Sequence, residues 1–167
     1  MRRHRLIILV VLLMALPCVA QSVSVDYDKD TDFSRYRSYA WKEGTPVPNP
    51  LSHQRIVNAI EYHLAMKGFE QVDQDPDMYV SYHAAAKEDL EITDWGHRGP
   101  RWGWTRDIDV RKILVGIIVV DMIDADDDKL FWRATASDTV SSKPEKNEKK
   151  INRAAKKMFK KFPPKRR

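Results

Sequence analysis

One short segment of the chain carries the residues that are best suited to binding chemistry. Between Trp95 and Trp104 the sequence places Arg98, Arg101 and Trp102 among glycines and a proline. An exposed tryptophan can stack on a sugar ring or anchor a partner protein, and an arginine can pair with phosphate or carboxylate groups. The segment therefore predicts a binding loop. The competing interpretation is a flap whose tryptophans fold back and close a small core.

A second cluster could hold a cation. Five aspartates lie at the end of an apolar run or just after it, and clustered carboxylates are the ligands that calcium prefers. They are Asp121, Asp124, Asp126, Asp127 and Asp128. The cluster lacks the glycine and the distal glutamate of an EF-hand loop. Aspartates are common in turns because their side chains accept hydrogen bonds from local backbone amides. The favoured interpretation is therefore a structural turn.

Carboxylates beside the tryptophan–arginine segment leave a second function open. Glu88, Asp89 and Glu91 precede that segment by a few residues. Because glycoside hydrolysis commonly uses two carboxylates, a hydrolase acting on glycan or cell-wall material is the alternative to a binding protein. The spacing of the three residues is too generic to name a reaction.

The other reactive side chains form no catalytic or metal-binding pattern. His53 and His63 lie ten positions apart, about three turns of a helix, so they cannot share an ion. No serine lies in a Gly-X-Ser-X-Gly turn, and the single cysteine, Cys18, lies near the start of the chain. The sequence predicts no metal, no cofactor and no catalytic residue, which favours a protein that is not an enzyme.

The first twenty residues have the layout of a secretory signal peptide. A basic start, Met1–Arg5, precedes the apolar run Leu6–Leu16, which is too short to span a bilayer. We expect cleavage after Ala20, which leaves residues 21–167 as one exported domain without cysteine. Lipid attachment at Cys18 is the alternative, although the residues before it match such sites poorly. The predicted location is the periplasm, with membrane anchoring if Cys18 is lipidated.

Charge is distributed unevenly along the chain. The net charge of the whole sequence is +5, but the stretch from Lys143 to Arg167 alone carries +10, and residues 21–142 carry −8. Nucleic acid is an improbable target for an exported protein. The basic end is therefore expected to face an anionic envelope component or another envelope protein.

The elements that must position these residues follow from hydrophobic periodicity. Ile113–Ile123 is apolar and β-branched, and Leu130–Ser137 alternates, so the two predict a central hairpin around the acidic turn. Lys87–Asp107 breaks every period and is predicted to be a loop. Helical spacing predicts one helix from Ser52 to Lys67 and a basic C-terminal helix over residues 144–162.

The order of the elements indicates the fold class. Further strands are predicted around Val23–Tyr27, Arg37–Trp41 and Met78–Ala86, with an edge strand at Phe69–Val72. The prediction is an α+β domain with a mainly antiparallel sheet of about five strands and two helices packed on one face. The C-terminal helix is expected to dock on the sheet rather than lie on a membrane.

Six segments of the chain carry a resemblance to a known family: Val25–Asp28, Asp32–Trp41, Lys67–Phe69, Pro76–Tyr82, Leu130–Ala134 and Met158–Pro164. They resemble domain of unknown function 4136, which consists of bacterial cell-envelope proteins that are often lipoproteins. The resemblance spans nearly all of residues 21–167 and implies an envelope domain with no assigned activity, and no catalytic residue can be carried over from it. Taken with the residues themselves, the favoured interpretation is a non-enzymatic binding or assembly accessory.

Overall fold

The structure is a computed structural model that describes residues 21–98 and 104–164, with residues 91–98 and 104–110 described as backbone. Cys18, Arg101 and Trp102 lie outside the described residues. The elements in chain order are β1 (Ser22–Tyr27), a short 3₁₀ helix (Phe33–Arg35), β2 (Ser38–Trp41), α1 (Pro50–Ala65), β3 (Glu70–Gln71), β4 (Met78–Arg98), β5 (Trp104–Asp124), β6 (Leu130–Thr139) and α2 (Pro144–Phe159).

In the described part of the chain, six strands form one sheet in the order β1-β6-β5-β4-β2-β3. The pairs β1–β6, β6–β5 and β5–β4 are antiparallel, whereas β2 runs parallel to both β3 and β4. The parallel pairs arise because α1 carries the chain back before β3 and β4 begin. The predicted α+β class is confirmed, and the sheet has one strand more than the expected five.

The predicted central hairpin is confirmed. β5 and β6 pair from Val115–Thr139 to Ile123–Leu130, and the acidic turn connects them. Alternate side chains of the two strands point to the same face of the sheet, and those of Val120, Met122 and Trp132 are fully buried there. The alternation of apolar residues therefore sets which face of the sheet meets the helices.

The two helices begin in different ways. Asn49 precedes Pro50, and its side chain accepts from the Ser52 amide at 2.9 Å, so α1 begins two residues before the predicted start. No side chain caps α2, which follows Lys143, but Asn147 bonds to both backbone groups of Ser141. Asn147 thus fixes the segment that leads into α2.

The two helices cover the same face of the sheet, as predicted. Ile56 and Ile60 of α1 meet Ala154 and Met158 of α2 above Val120. Arg55 Nε also lies 3.4 Å from a Glu148 carboxylate oxygen and joins the helices at the surface. The basic C-terminal helix is therefore docked on the sheet by its apolar side.

The first and last segments of the described chain help to close the core. β1, near the amino end, pairs along β6 at one edge of the sheet. Phe162, just after α2, is 1% exposed and packs its ring against Phe33, Phe69 and Trp132, with centroids 5.0–6.0 Å apart. Aromatic contacts of this kind seal the end of the core that the helices leave open.

The predicted loop over Lys87–Asp107 is wrong. β4 continues to Arg98, and β5 begins at Trp104, so most of the segment is a pair of antiparallel strands. The side chains described at its base, in Lys87–Leu90 and Arg111–Lys112, are exposed. Burial therefore imposes no alternation of apolar and polar residues at the base.

Candidate functional site

A two-stranded ribbon arm, defined as residues 88–98 and 104–114, extends beyond the rest of the sheet. β6 leaves β5 at the Val115–Thr139 pair, after which one hydrogen bond joins the Val140 amide to the Leu114 carbonyl. β4 and β5 continue together for eleven more pairs, from Glu88–Leu114 to Arg98–Trp104. At strand geometry this is roughly 35 Å of ribbon.

The ribbon arm leaves backbone and apolar groups open to a partner. Among the described residues no third strand pairs with it, so its outer edges can accept an added strand. Near its base Leu90 is 58% exposed and Leu114 is 42% exposed. Because an isolated two-stranded ribbon is only marginally stable in water, contact with a partner would stabilise the arm.

The structure gathers part of the predicted binding segment at the outer end of the arm. Trp95 pairs with Asp107, and Arg98 pairs with Trp104 in the last pair of the ribbon. These three predicted site residues therefore lie in strands rather than in a loop. Arg101 and Trp102 lie outside the described residues.

The carboxylates that suggested a hydrolase lie at the base of the arm. Glu88 and Asp89 are consecutive in a strand, so their side chains leave opposite faces of the ribbon. Each has a basic neighbour: Lys112 Nζ lies 3.9 Å from Glu88, and Lys87 Nζ lies 3.6 Å from Asp89. These two residues do not form the facing pair that glycoside hydrolysis uses.

The acidic turn is neutralised by basic groups of the same chain. An Arg35 Nη donates to Asp126 at 2.6 Å, and Lys42 Nζ donates to Asp128 at 2.6 Å. The Tyr36 hydroxyl donates to Asp124 at 2.7 Å. These contacts support the structural interpretation of the turn. Within the described residues, no group of three or more His, Cys, Asp or Glu side chains is arranged to hold a metal ion.

This network of contacts favours the negatively charged form of the Asp124 carboxyl. Burial alone would raise the pKa of Asp124, but hydrogen bonds from Tyr36 and the Asp126 amide, with the charge of Arg35, bring that pKa below its ordinary value. The turn therefore carries a fixed anion that is matched internally.

A polar cluster on the open face of the sheet was not predicted. The Arg133 guanidinium donates hydrogen bonds to both carboxylate oxygens of Asp121, a residue that is 3% exposed. His83 Nε2 lies 3.8 Å from the same carboxylate, and His83 Nδ1 lies 3.1 Å from the Thr45 hydroxyl. The order Thr–His–Asp is superficially that of a nucleophilic triad. However, 3.8 Å is too long for a hydrogen bond, and Arg133 occupies the carboxylate that would orient the histidine.

The helix side of the sheet contains an apolar cavity of about 340 Å³, large enough for a small ligand. Its one ion pair is internal, because Lys150 Nζ lies 3.0 Å from Asp138 and also donates to Thr139. Such a lining can hold an apolar group. The lining includes Ser52 and Ile56 of α1, Ala84, Gly116, Ile118 and Ala136 of the sheet, and Ile151 and Ala154 of α2.

Neither the polar cluster nor the apolar cavity could be predicted from the sequence pattern. Ala84, Gly116 and Ala136 are small residues in three strands. The register places Ala84 and Ala136 on either side of Ile118 and pairs Gly116 with Ala86, and this grouping of small residues leaves space under the helices. His83, Asp121 and Arg133 meet for the same reason. The sequence pattern gives the face on which each residue lies but not its neighbours in adjacent strands.

Neither helix in the described residues has the length and apolar character needed to cross a bilayer.

Comparison with solved structures shows the fold. A PDZ domain protein from Parabacteroides distasonis matches with a TM-score of 0.60 at 14% identity, over 86% of this chain and 35% of that one, so this chain spans about a third of that protein. A PelC dodecamer from Paraburkholderia phytofirmans matches with a TM-score of 0.52 at 11% identity, over 84% of this chain and 95% of that one.

The family is shown by sequence. No curated protein matches the chain. The model of the family described as Domain of unknown function (DUF4136) matches residues 23–164, from the second residue of β1 to the segment after α2. This match confirms the resemblance drawn from the sequence, and the chain belongs to the DUF4136 family.

Proposed function

We propose that this protein is a non-enzymatic binding or assembly accessory of the bacterial cell envelope, and that the ribbon arm is its main contact element. The observation that carries the proposal is the set of eleven strand pairs that extend past β6 with no neighbouring strand among the described residues. A projection of this size adds little to the core of its own domain. Its use is best explained by contact with another molecule.

The residue types of the arm suit such contact. Trp95 and Trp104 lie in the strands near its outer end, and Trp102 lies two positions before Trp104 in the sequence. Aromatic anchors and arginines carry a large share of the energy in protein interfaces, and both also recognise sugars and anionic groups. We expect capture through aromatic stacking and arginine pairing, with added strand pairing along the arm.

Two kinds of partner fit this surface. One is another envelope protein, and a second copy of this chain is included because the PelC of similar fold is a dodecamer. The other is an anionic envelope component, which the basic helix α2 would attract. The periplasmic location rests on the signal-peptide layout of residues 1–20. Mass spectrometry of the mature protein distinguishes cleavage after Ala20 from lipid attachment at Cys18.

The test removes the arm without disturbing its base. Residues 90–112 are deleted, and the paired residues Asp89 and Ile113 are joined by an Asn-Gly turn, which closes a two-residue hairpin. In its own host the full protein should form specific cross-linked adducts, and the deletion variant should lose them while keeping its thermal transition. Unchanged adducts in the deletion variant would refute the proposal.

A finer variant tests the tryptophans. Trp102→Ala with Trp104→Ala should weaken adduct formation without unfolding the domain. Tyr62→Ala is the matched control, because Tyr62 is a 62% exposed aromatic residue on α1, away from the arm. If the double variant loses its thermal transition instead, the tryptophans belong to a core, and their role in binding is excluded.

A further inference from the structure

The outer side of α2 carries a straight row of positive charges, which we call the basic ridge: Lys146, Lys149, Arg153, Lys156 and Lys160. The spacing alternates between three and four residues, so the five side chains lie along one line of the helix. All five are exposed. From first to last the basic ridge covers about 21 Å of helix.

The basic ridge lies opposite the side of α2 that is packed on the sheet. Ala154, Ala155 and Met158 are buried against the core, about half a turn around the helix from the ridge. The positive charges therefore point away from the domain. They form the outermost line of the helix layer.

No acid of the described chain neutralises the basic ridge. Among the residues that the structure describes, none of the five forms an ion pair, whereas Glu148 is paired with Arg55 on another side of the helix. Lys150 is also occupied, since it bonds to Asp138 and Thr139. The lysines of α2 thus fall into two groups: Lys150 bonds within the fold, whereas the lysines of the basic ridge point to solvent.

The amino end of the domain joins at the flank of the same helix. The Gln21 side-chain amide donates to the Lys150 carbonyl at 3.0 Å, and Lys157 Nζ donates to the Gln21 carbonyl at 3.3 Å. Lys161 Nζ lies 3.4 Å from the Val23 carbonyl. Whatever precedes Gln21 therefore meets the domain beside the basic ridge.

We propose that the basic ridge seats the domain on the surface of an anionic phospholipid bilayer, with α2 parallel to the membrane plane. A row of charges on a convex helix faces a plane well and has no groove to enclose a polysaccharide chain. The acidic balance of residues 21–142, −8 against +10 at the carboxyl end, also favours this orientation. The inference rests on the envelope location proposed above but not on the ribbon arm.

Vesicle binding tests this inference directly. The mature protein should sediment with vesicles of mixed phosphatidylcholine and phosphatidylglycerol, and not with pure phosphatidylcholine, and high salt should release it. Lys149→Gln, Arg153→Gln and Lys156→Gln together should lower the partition coefficient roughly a hundredfold, since each basic residue near an anionic surface contributes about fivefold. The circular dichroism spectrum should not change, because all three side chains are exposed.

A matched variant separates the basic ridge from net charge. Lys29→Gln, Arg37→Gln and Lys87→Gln remove the same charge from exposed positions outside α2 and the ribbon arm, and the partition coefficient should fall by less than about fivefold. Equal losses in the two triple variants would overturn the proposal, as would failure of the wild-type protein to bind anionic vesicles. Binding of a soluble anionic polysaccharide without vesicle binding would also overturn it.

The arm deletion makes the two proposals distinguishable. That variant should still bind anionic vesicles, because the basic ridge is intact. Loss of vesicle binding in the ridge variant with retained cross-linking would support the membrane inference alone. Retained vesicle binding in an arm deletion that has also kept its adducts would refute only the proposed function.

Discussion

Asp121 and Arg133 face each other across the two central strands, and the guanidinium donates to both carboxylate oxygens at 2.7 Å. The carboxylate is almost wholly buried, while the Arg133 side chain is half exposed. The hydrogen bond to Asp121 raises the pKa of Arg133, so the cation persists at every accessible pH. This pair joins β5 to β6 on the face that the helices leave uncovered.

Loss of Arg133 should therefore destabilise the fold. Arg133→Ala leaves a buried carboxylate without its partner, and we expect a loss of about 2–3 kcal/mol in unfolding free energy. A fully buried pair would lose more, but solvent reaches this one. Urea denaturation measures the change. Asp121→Ala combined with Arg133→Ala should recover part of the loss, and a single variant as stable as wild type would contradict this role.

Asp77 should make the protein sensitive to acid. Its carboxylate accepts from the Ser38 and Arg37 amides at 2.8 Å each and from the Ser38 hydroxyl at 3.0 Å, and these bonds hold its pKa below the ordinary value. A lowered pKa stabilises the fold above the unfolded-state pKa near 4, and that contribution is lost as pH falls further.

Asp77→Asn checks this prediction. The variant should be less stable by about 1–3 kcal/mol at neutral pH, and the difference should shrink between about pH 5 and pH 3. Asp73→Asn, an exposed position in the same turn, is the control. A stability difference that stays constant with pH would show that the hydrogen-bond geometry matters and the charge does not.

Tyrosine burial predicts an alkaline limit to stability. Burial, with a smaller effect of Glu61, raises the pKa of Tyr39 to about 12, and burial with the bond to Asp124 raises the pKa of Tyr36 further. A raised pKa stabilises the fold below the unfolded-state pKa near 10, and the contribution is lost as pH rises above it. Tyrosinate absorbance should show these groups ionising only with unfolding.

Tyr36→Phe separates the hydroxyl from the ring. The ring stacks on Phe131 with centroids 4.3 Å apart, and phenylalanine can keep that contact. Loss of the hydroxyl bond to Asp124 should cost about 1.5–3 kcal/mol, because the acceptor is charged. Thermal denaturation near neutral pH provides the measurement, and an unchanged midpoint would refute the importance of this bond.

Two glycines should respond differently to alanine. A β-carbon at Gly44 would lie 2.1 Å from the Tyr82 carbonyl oxygen, which belongs to the backbone and cannot yield. At Gly116 the nearest atom is a Val140 methyl carbon at 3.1 Å, which can move aside. We expect Gly44→Ala to cost about 2–3 kcal/mol and Gly116→Ala less than about 1 kcal/mol. Similar losses for both would contradict this distinction.

Sequence periodicity predicted the elements that burial organises. The central hairpin was predictable because one face of the sheet is shielded from water, which requires apolar residues at Val120, Met122 and Trp132. The same burial explains the apolar stripe of α2, which includes Ala154 and Met158. The start of α1 was misplaced because Pro50 and Ser52 both suit an early helical position. The hydrogen bond that the Asn49 side chain accepts from the Ser52 amide makes Asn49 the N-cap and Pro50 the first helical residue.

The ribbon arm and the polar cluster were beyond such reasoning. Residues near the arm's base, such as Leu90 and Lys112, face solvent. Burial therefore imposes no apolar pattern there from which a strand could be predicted. The contacts among Thr45, His83 and Asp121 depend on which residues become neighbours between strands. That register is fixed by the whole sheet rather than by any one strand.

The location of Phe162 and β1 at opposite ends of the sequence has a consequence for the order of folding. Contacts between the first and last elements are the most distant that a chain can make, and closing them is entropically slow. During synthesis α1 emerges early, but the part of the apolar face that α2 covers stays exposed until Phe159 and Phe162 follow. This end of the core can therefore close only after the residues at the end of α2 have been made.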